Sequence, residues 1–191
     1  MFDIVGALVG LAMLAALTPF VAFAIILESD GPIFIKCRRV SKGDIIHVYK
    51  FRSMVHNAQE KEARVRHLNE RSDGPFFKMR DNPALTHVGK LLRKFKLDEL
   101  PQVINVLKGE LSLVGPRPHE PEEVLQYPPE YAHIAQEKAG LTGLPQATGA
   151  SYLPFRKELE LDAHYLNNQS IWMDTKIIAK TAHVIFFGNG I

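Results

Sequence analysis

The sequence has little cysteine and little imbalance of charge. Cys37 is the only cysteine, which excludes an intramolecular disulfide, a Cys-x-x-Cys redox pair and a cysteine-built zinc cage. It points the polar part of the chain to a reducing, cytoplasmic side. Lys and Arg number 23 against 21 Asp and Glu, a net charge of +2. That is too small for the basic face that bulk nucleic-acid binding needs, so any cationic function is local. None of the 8 histidines has a partner at the i, i+4 spacing of a metalloprotease helix, and they read as surface or structural groups. Charge is missing altogether from Ile4 to Leu27, whereas the sequence beyond Glu28 has the charge density of a soluble domain. With 191 residues, this organisation predicts an anchor over 1–29 followed by one polar domain over 30–191.

About 24 uncharged residues at 1.5 Å each suffice to cross roughly 30 Å of hydrocarbon. Within that run, Pro19 removes a backbone donor and crowds the preceding turn, so the helix should bend or break at Thr18-Pro19. Two geometries follow: a spanning helix with a proline kink, or a hairpin whose arms return to the same face. In the hairpin the carbonyls freed at the break need partners, and the Thr18 hydroxyl is a local candidate. A cleavable signal peptide fits poorly, because no basic residue precedes the run and Ile25-Ile26-Leu27 continues it past the small residues Ala22 and Ala24.

In the polar part, Ile33 to Cys37 and Ile45 to Phe51, separated by Ser41-Lys42-Gly43-Asp44, predict a β-hairpin, the one strong strand signal. A solvated helix is expected over Met54–Glu70, ended by Ser72-Asp73-Gly74-Pro75. Apolar residues at helical spacing occupy Leu91–Phe95 and Leu100–Leu107. Gly109, Gly115, Pro116, Pro118 and Pro121 then forbid any long helix, and Gly140–Gly149 reads as a second loop. Phe155–Leu166 is predicted helical. Ser170 should cap a last helix with Ile171, Thr175, Ile178, Ala182, Ile185 and Phe186 on one stripe before Gly188. The fold class is α+β, mostly α.

Leu97-Asp98-Glu99-Leu100-Pro101-Gln102 sets two adjacent carboxylates where a helix should begin. Free amides and the positive end of the dipole at such a place stabilise a carboxylate and also bind phosphate, so a carboxylate nucleophile and a phosphoryl substrate could meet there. Plain N-capping by Asp98 is the alternative. Four basic residues bear on the choice: Lys50 and Arg52 in Lys50-Phe51-Arg52-Ser53-Met54, Arg93, and Arg117 within Gly115-Pro116-Arg117-Pro118. The two prolines restrict where the Arg117 guanidinium can point, which suits bidentate phosphate binding. Cys37 reads as a buried strand residue.

Together these motifs resemble the bacterial sugar transferases, the monotopic phosphoglycosyl transferases. The resemblance rests on Lys50-Phe51-Arg52-Ser53-Met54, the run Leu97 to Gln102, the stretch from Asn105 to Pro118 and Leu141-Thr142-Gly143, and it covers nearly the whole chain. It implies a re-entrant membrane helix broken at Thr18-Pro19 (helix-break-helix), then a small cytoplasmic domain with a β-hairpin and amphipathic interfacial helices. The place implied is the cytoplasmic face of a bacterial inner membrane.

The resemblance also implies the chemistry: transfer of a sugar-1-phosphate from a UDP-sugar to polyprenyl (undecaprenyl) phosphate, the first membrane step of polysaccharide or glycoprotein glycan assembly. Asp98 would be the nucleophile, Glu99 its partner, and both would hold Mg²⁺. Arg93 and Arg117 match family positions that contact phosphate, with Lys50 and Arg52 as further candidates from their charge, and the protein would lie among membrane lipids, with oligomers open. Two other classes stay open: a membrane-tethered, non-catalytic module for lipid headgroups, and a metal-dependent phosphohydrolase. The chain departs from the family pattern in lacking a basic pair just before Asp3 and in placing Cys37 where Gln is usual. The Ser41–Asp44 turn is short. Ala139 and Ala150 replace the proline and arginine of the family's nucleotide-contacting loop.

Overall fold

The computed structural model describes residues 2–56, 58, 69, 73–75, 79, 82–148 and 153–187. The helix expected over Met54–Glu70 lies almost entirely outside these residues, as do Ser72, Gly149, Ala150 and Gly188. Met54 itself forms an isolated antiparallel bridge with Leu85.

The uncharged run forms a single helix, α1 (Phe2–Glu28), with Pro19 inside it. The expected separation into two helices is not seen: helical backbone continues through Thr18-Pro19. The Thr18 hydroxyl donates to the Leu14 carbonyl at 2.6 Å, one residue from the Ala15 carbonyl that Pro19 cannot reach, so a side chain supports the turn that proline weakens. One stripe of α1 packs on the rest of the chain. Ala7 joins a cluster with Val48, Val106, Leu111 and Ala139; Leu14 and Ile25 join Phe51, Leu92 and Val103. Gly6 and Gly10 sit so close to Leu113 and Val103 that a Cβ on either would lie 2.3 Å and 2.6 Å from those side chains. Ile4, Val5, Leu8, Val9, Phe20, Phe23, Ile26 and Leu27 are exposed on the other faces.

Both ends of α1 are fastened to the polar part. Asp3 Oδ1 accepts from the Leu113 amide at 3.0 Å, and Glu28 accepts from the amides of His87 and Val88. An independently spanning helix would carry its two ends to opposite sides of a bilayer.

The expected hairpin is present as β1 (Phe34–Ser41) and β2 (Asp44–Phe51), paired from Phe34↔Phe51 to Ser41↔Asp44. The turn is the two residues Lys42 and Gly43, with φ of 55° and 76°, the left-handed pair that matches the twist of a tight hairpin. After it come α2 (His87–Lys94), a 3-10 segment (Leu97–Gln102) and α3 (Val103–Leu107). A second, parallel pair was not expected: β3 (Ser112–Val114) lies beside β4 (Gly140–Thr142). There the backbones approach so closely that a Cβ on Gly140 would lie 2.1 Å from the Gly115 nitrogen.

The remainder is α4 (Pro121–Val124), a 3-10 stretch (Pro129–Gln136), α5 (Leu144–Ala147), α6 (Phe155–Asn167) and α7 (Ile171–Phe187). The region Gly140–Gly149 therefore holds a strand and a short helix instead of a plain loop. Ser170 does cap α7, its hydroxyl accepting from the Met173 amide at 3.2 Å. Of the expected stripe, Ile178 packs against the core cluster and the outer part faces away from it. Ile177 is buried against Val114, Ala147 and Tyr165, whereas Ile171 and Thr175 are exposed.

Candidate active site

The 3-10 segment Leu97–Gln102 packs against β2, and Asn105 fixes that contact. Asn105 is fully buried; its Oδ1 accepts from the Tyr49 amide at 3.1 Å, and its Nδ2 donates to the His47 carbonyl at 2.9 Å and Glu110 Oε2 at 2.6 Å. On β2, Phe51 points into the core and stacks on Phe34, so Lys50 points the other way, as the period of two requires. Its Nζ meets Glu99 Oε1 at 2.7 Å.

Asp98 is not a helix cap. It lies inside the 3-10 segment, preceded by Lys96 in the left-handed conformation with φ of 54°, and no side chain caps that segment. Arg93, at the end of α2, is steered by its Nε donating to Ser53 Oγ at 3.1 Å. Arg117 is held from behind: its backbone N–H donates to Asp162 Oδ2 on α6 at 3.4 Å.

Arg52 is engaged elsewhere. Its buried guanidinium donates to the carbonyls of Ser29 and Asp30 at 2.5 Å and 2.7 Å, where α1 ends and helix carbonyls lack partners. Arg52, one of the four basic residues expected to contact phosphate, clasps the exit of α1 in the fold.

Adjacent carboxylates in one site are shifted in opposite directions. Burial, then the neighbouring Glu99, raises the Asp98 carboxyl above the ordinary aspartate value, against the pull of Lys50, Arg93 and Lys96. Burial alone would raise Glu99 too, but Lys50, Arg117 and Lys96, together with the Lys50 hydrogen bond, hold it well below the usual carboxylate range. Glu99 is thus a fixed anion. Asp98 is buried, and no hydrogen bond from a described residue reaches its carboxylate. With no such hydrogen bond occupying them, its oxygens are open to a substrate, and in the ionised form they can attack.

Asp98 and Glu99 are the residues that could hold a metal: two oxygen donors are what magnesium takes, an ion that binds one or two carboxylates and completes its shell with water and substrate phosphate. Sequence reasoning missed two residues here. Lys96 adds a cation because the left-handed corner brings it beside both carboxylates, and nothing in its neighbours signals that corner. Asp162, 1% exposed, sits on a helix where acids usually face water, so only the fold reveals it.

The profile described as "Bacterial sugar transferase" matches residues 1–188. The chain is 38% identical over 98% of its length to the galactosyl transferase CpsE of Streptococcus agalactiae, covering 42% of that protein. It is 36% identical over 99% of its length to undecaprenyl-phosphate galactose phosphotransferase of Salmonella typhimurium, covering 40% of it. A third relative, the UDP-N-acetylgalactosamine-undecaprenyl-phosphate N-acetylgalactosaminephosphotransferase of Aeromonas hydrophila, is 36% identical over 98% of this chain, which covers 43% of it. The chain thus spans about two fifths of the length of these relatives.

Proposed function

Because the chain belongs to the bacterial sugar transferase family, we propose that it moves a sugar-1-phosphate from a UDP-sugar to polyprenyl phosphate at a membrane surface. The observation that carries this reading is the pairing of a fixed anion, Glu99 bound to Lys50 at 2.7 Å and facing Arg117 and Lys96, with a buried, unbonded Asp98 near Arg93 and Lys96.

In the first step an Asp98 carboxylate oxygen attacks the sugar-proximal phosphorus of the UDP-sugar. The bond from that phosphorus to the bridging oxygen breaks, and UMP departs with the electron pair. In the second, an oxygen of polyprenyl phosphate attacks the same phosphorus, the bond to Asp98 breaks, and the carboxylate is restored. The product is polyprenyl-diphosphate-sugar. Two anions must approach in each step, and cations set around the phosphorus lower that repulsion most in the transition state, where charge is spread over its oxygens. Arg93 and Arg117 serve there. Lys50 keeps Glu99 from adding free negative charge beside the nucleophile. Magnesium, when bound by Asp98 and Glu99, supplies Lewis-acid neutralisation of phosphate charge.

A one-sided, re-entrant seat for α1 in the cytoplasmic face of the inner membrane belongs to the same reading. It is supported by the attachment of Asp3 and Glu28 to one polar body and by the apolar outward faces of the helix between them. The relatives differ in the sugar that their names specify, so the sugar is left to experiment.

The deciding measurement is UMP release from a panel of UDP-sugars, with magnesium and with or without undecaprenyl phosphate. The reading expects one turnover without lipid, a peptide containing Asp98 heavier by a sugar phosphate, and many turnovers with lipid. Continuous lipid-independent release of free sugar phosphate would instead mark a phosphohydrolase. No release with any donor would leave a headgroup-binding module.

A further inference from the structure

Resting on that reading, we propose that the outer face of α2 is the docking surface for the phosphate headgroup of the lipid acceptor, with Lys90 and Lys94 as its ligands. The 16 residues from Asn82 to Leu97 contain Lys90, Arg93, Lys94 and Lys96 and no acidic residue. Lys90, Arg93 and Lys94 are exposed, and among the described residues neither Lys90 nor Lys94 has an ion-pair partner. Lys94 lies over the Phe95 ring at 5.7 Å. The two lysines are one helical turn apart and so sit on one face.

The position of α2 tells which anion this face meets. Its inner stripe, Val88 and Leu92, packs in the same cluster as Leu14 and Ile25 of α1, and its first amides are held by Glu28 at the end of α1. Leu91 is 57% exposed beside the lysines. A ligand that meets this face therefore finds cations beside an exposed leucine, on a helix packed against α1, whose outward residues are themselves apolar and exposed, the environment of a lipid headgroup. At its other end α2 leads through Arg93 and Lys96 to Asp98 in a few residues. The helix thus connects the apolar surface to the nucleophile with cations of one sign. A phosphate monoester, which approaches two negative charges at neutral pH, matches a lysine pair better than the single charge of a phosphodiester headgroup.

The test uses the full chain in neutral-detergent micelles and measures equilibrium binding of three probes: undecaprenyl phosphate, uncharged undecaprenol and phosphatidylglycerol. The variant Lys90→Gln/Lys94→Gln changes exposed positions only, and Lys176→Gln/Lys180→Gln on α7 removes the same charge from another helix. The expected result is at least a tenfold rise in the undecaprenyl phosphate Kd for the α2 variant, less than a twofold change for the α7 variant, and no change in undecaprenol binding. An unchanged Kd in the α2 variant overturns the proposal even if the wild type turns over normally. An equal loss of phosphatidylglycerol binding also overturns it, by making the face a general anionic-lipid surface. If wild-type protein releases no UMP from any donor, yet undecaprenyl phosphate binding still falls with the α2 lysines, the transferase reading fails and the docking surface stands.

Discussion

Lys50 and Glu99 are joined at 2.7 Å across the contact between β2 and the 3-10 segment, and this pair divides the labour of two neighbouring carboxylates. Glu99 is spoken for by a cation; Asp98 is not. The roles follow from the partners, since the two residues are covalent neighbours with similar chemistry.

Asp98→Asn should therefore reduce UMP release at least about a thousandfold, because an amide cannot act as the attacking carboxylate. Glu99→Gln should retain single-turnover capture of sugar phosphate, at a lower rate. Intact-protein mass after incubation with donor alone distinguishes them. Full labelling of the Asp98→Asn protein would sink the covalent mechanism.

Arg117→Lys should lower kcat/KM about 10- to 100-fold with little change in melting temperature. Prolines on both sides aim a planar fork, and a lysine offers only a point charge on a flexible stem. Steady-state kinetics on purified protein check this, and an unchanged kcat/KM would return Arg117 to the ordinary surface.

Asp162 yields a prediction about stability and pH. Burial raises its carboxyl well above the ordinary value of 3.8, with Glu158 adding to the rise and Arg117, through its backbone bond and its charge, opposing it; Tyr127 also feels its charge. A folded value above the unfolded one means stability that is fully present below pH 3.8 and is lost as pH climbs through the folded value. Asp162→Asn removes that loss while keeping an oxygen to accept from Arg117. Thermal unfolding of the variant should be flatter with pH and midpoints higher at neutral pH, by about 2–4 °C for each 1 kcal/mol recovered. A variant that melts lower than wild type at pH 7 contradicts this account.

Arg52→Lys should act on stability more than on catalysis. One ammonium cannot reach both Ser29 and Asp30 carbonyls as the guanidinium fork does, and a buried acceptor left without a donor costs about 1–3 kcal/mol. Melting in detergent should fall by about 2–12 °C, while kcat/KM per folded molecule stays within about threefold. A large kcat/KM loss with normal melting would instead place Arg52 on substrate phosphate.

Replacing Thr18-Pro19 by Ala-Leu removes both the imino residue and the hydroxyl bond to Leu14. The expected outcome is a straighter α1, a weakened hold of Asp3 or Glu28 and reduced activity. Single cysteines at positions 2 and 30 in a Cys37→Ser background report the sidedness. In wild-type α1 an impermeant thiol reagent should label both only after cell lysis; labelling of position 2 in intact cells would show a spanning helix.

Much of this architecture could be read from residue patterns. The hairpin declared itself by β-rich runs around the turn residues Ser41 to Asp44, α6 by following a Gly and Pro loop, and α7 by helical spacing after Ser170. The carboxylate pair stood out because two acids met a proline at a helix start. What escaped depended on the third dimension. The pair β3 and β4 is three residues long on each side and uses Gly140 where its backbone must come close to Gly115, so it has no strand-like pattern. Arg52 stands with Lys50 in one basic motif, which does not tell where its side chain goes. The strand ends at Phe51, and alternation no longer holds one residue later. In α7 helical periodicity located the helix; its inward line runs through Ile177 and Ile178 and leaves Ile171 exposed, since apolar residues lie on both sides.

The seating of α1 has a practical meaning for anyone handling this protein. A leash can be cut and a passenger released; a keel cannot. Removing residues 1–29 would uncover Val48, Val103, Val106 and Leu111 and strip the Leu113, His87 and Val88 amides of their acceptors. Such a truncation should give aggregates instead of a water-soluble catalyst. Exchanging α1 for a generic hydrophobic helix should fail for the same reason, unless small residues at positions 6, 7 and 10 and acids at 3 and 28 are retained.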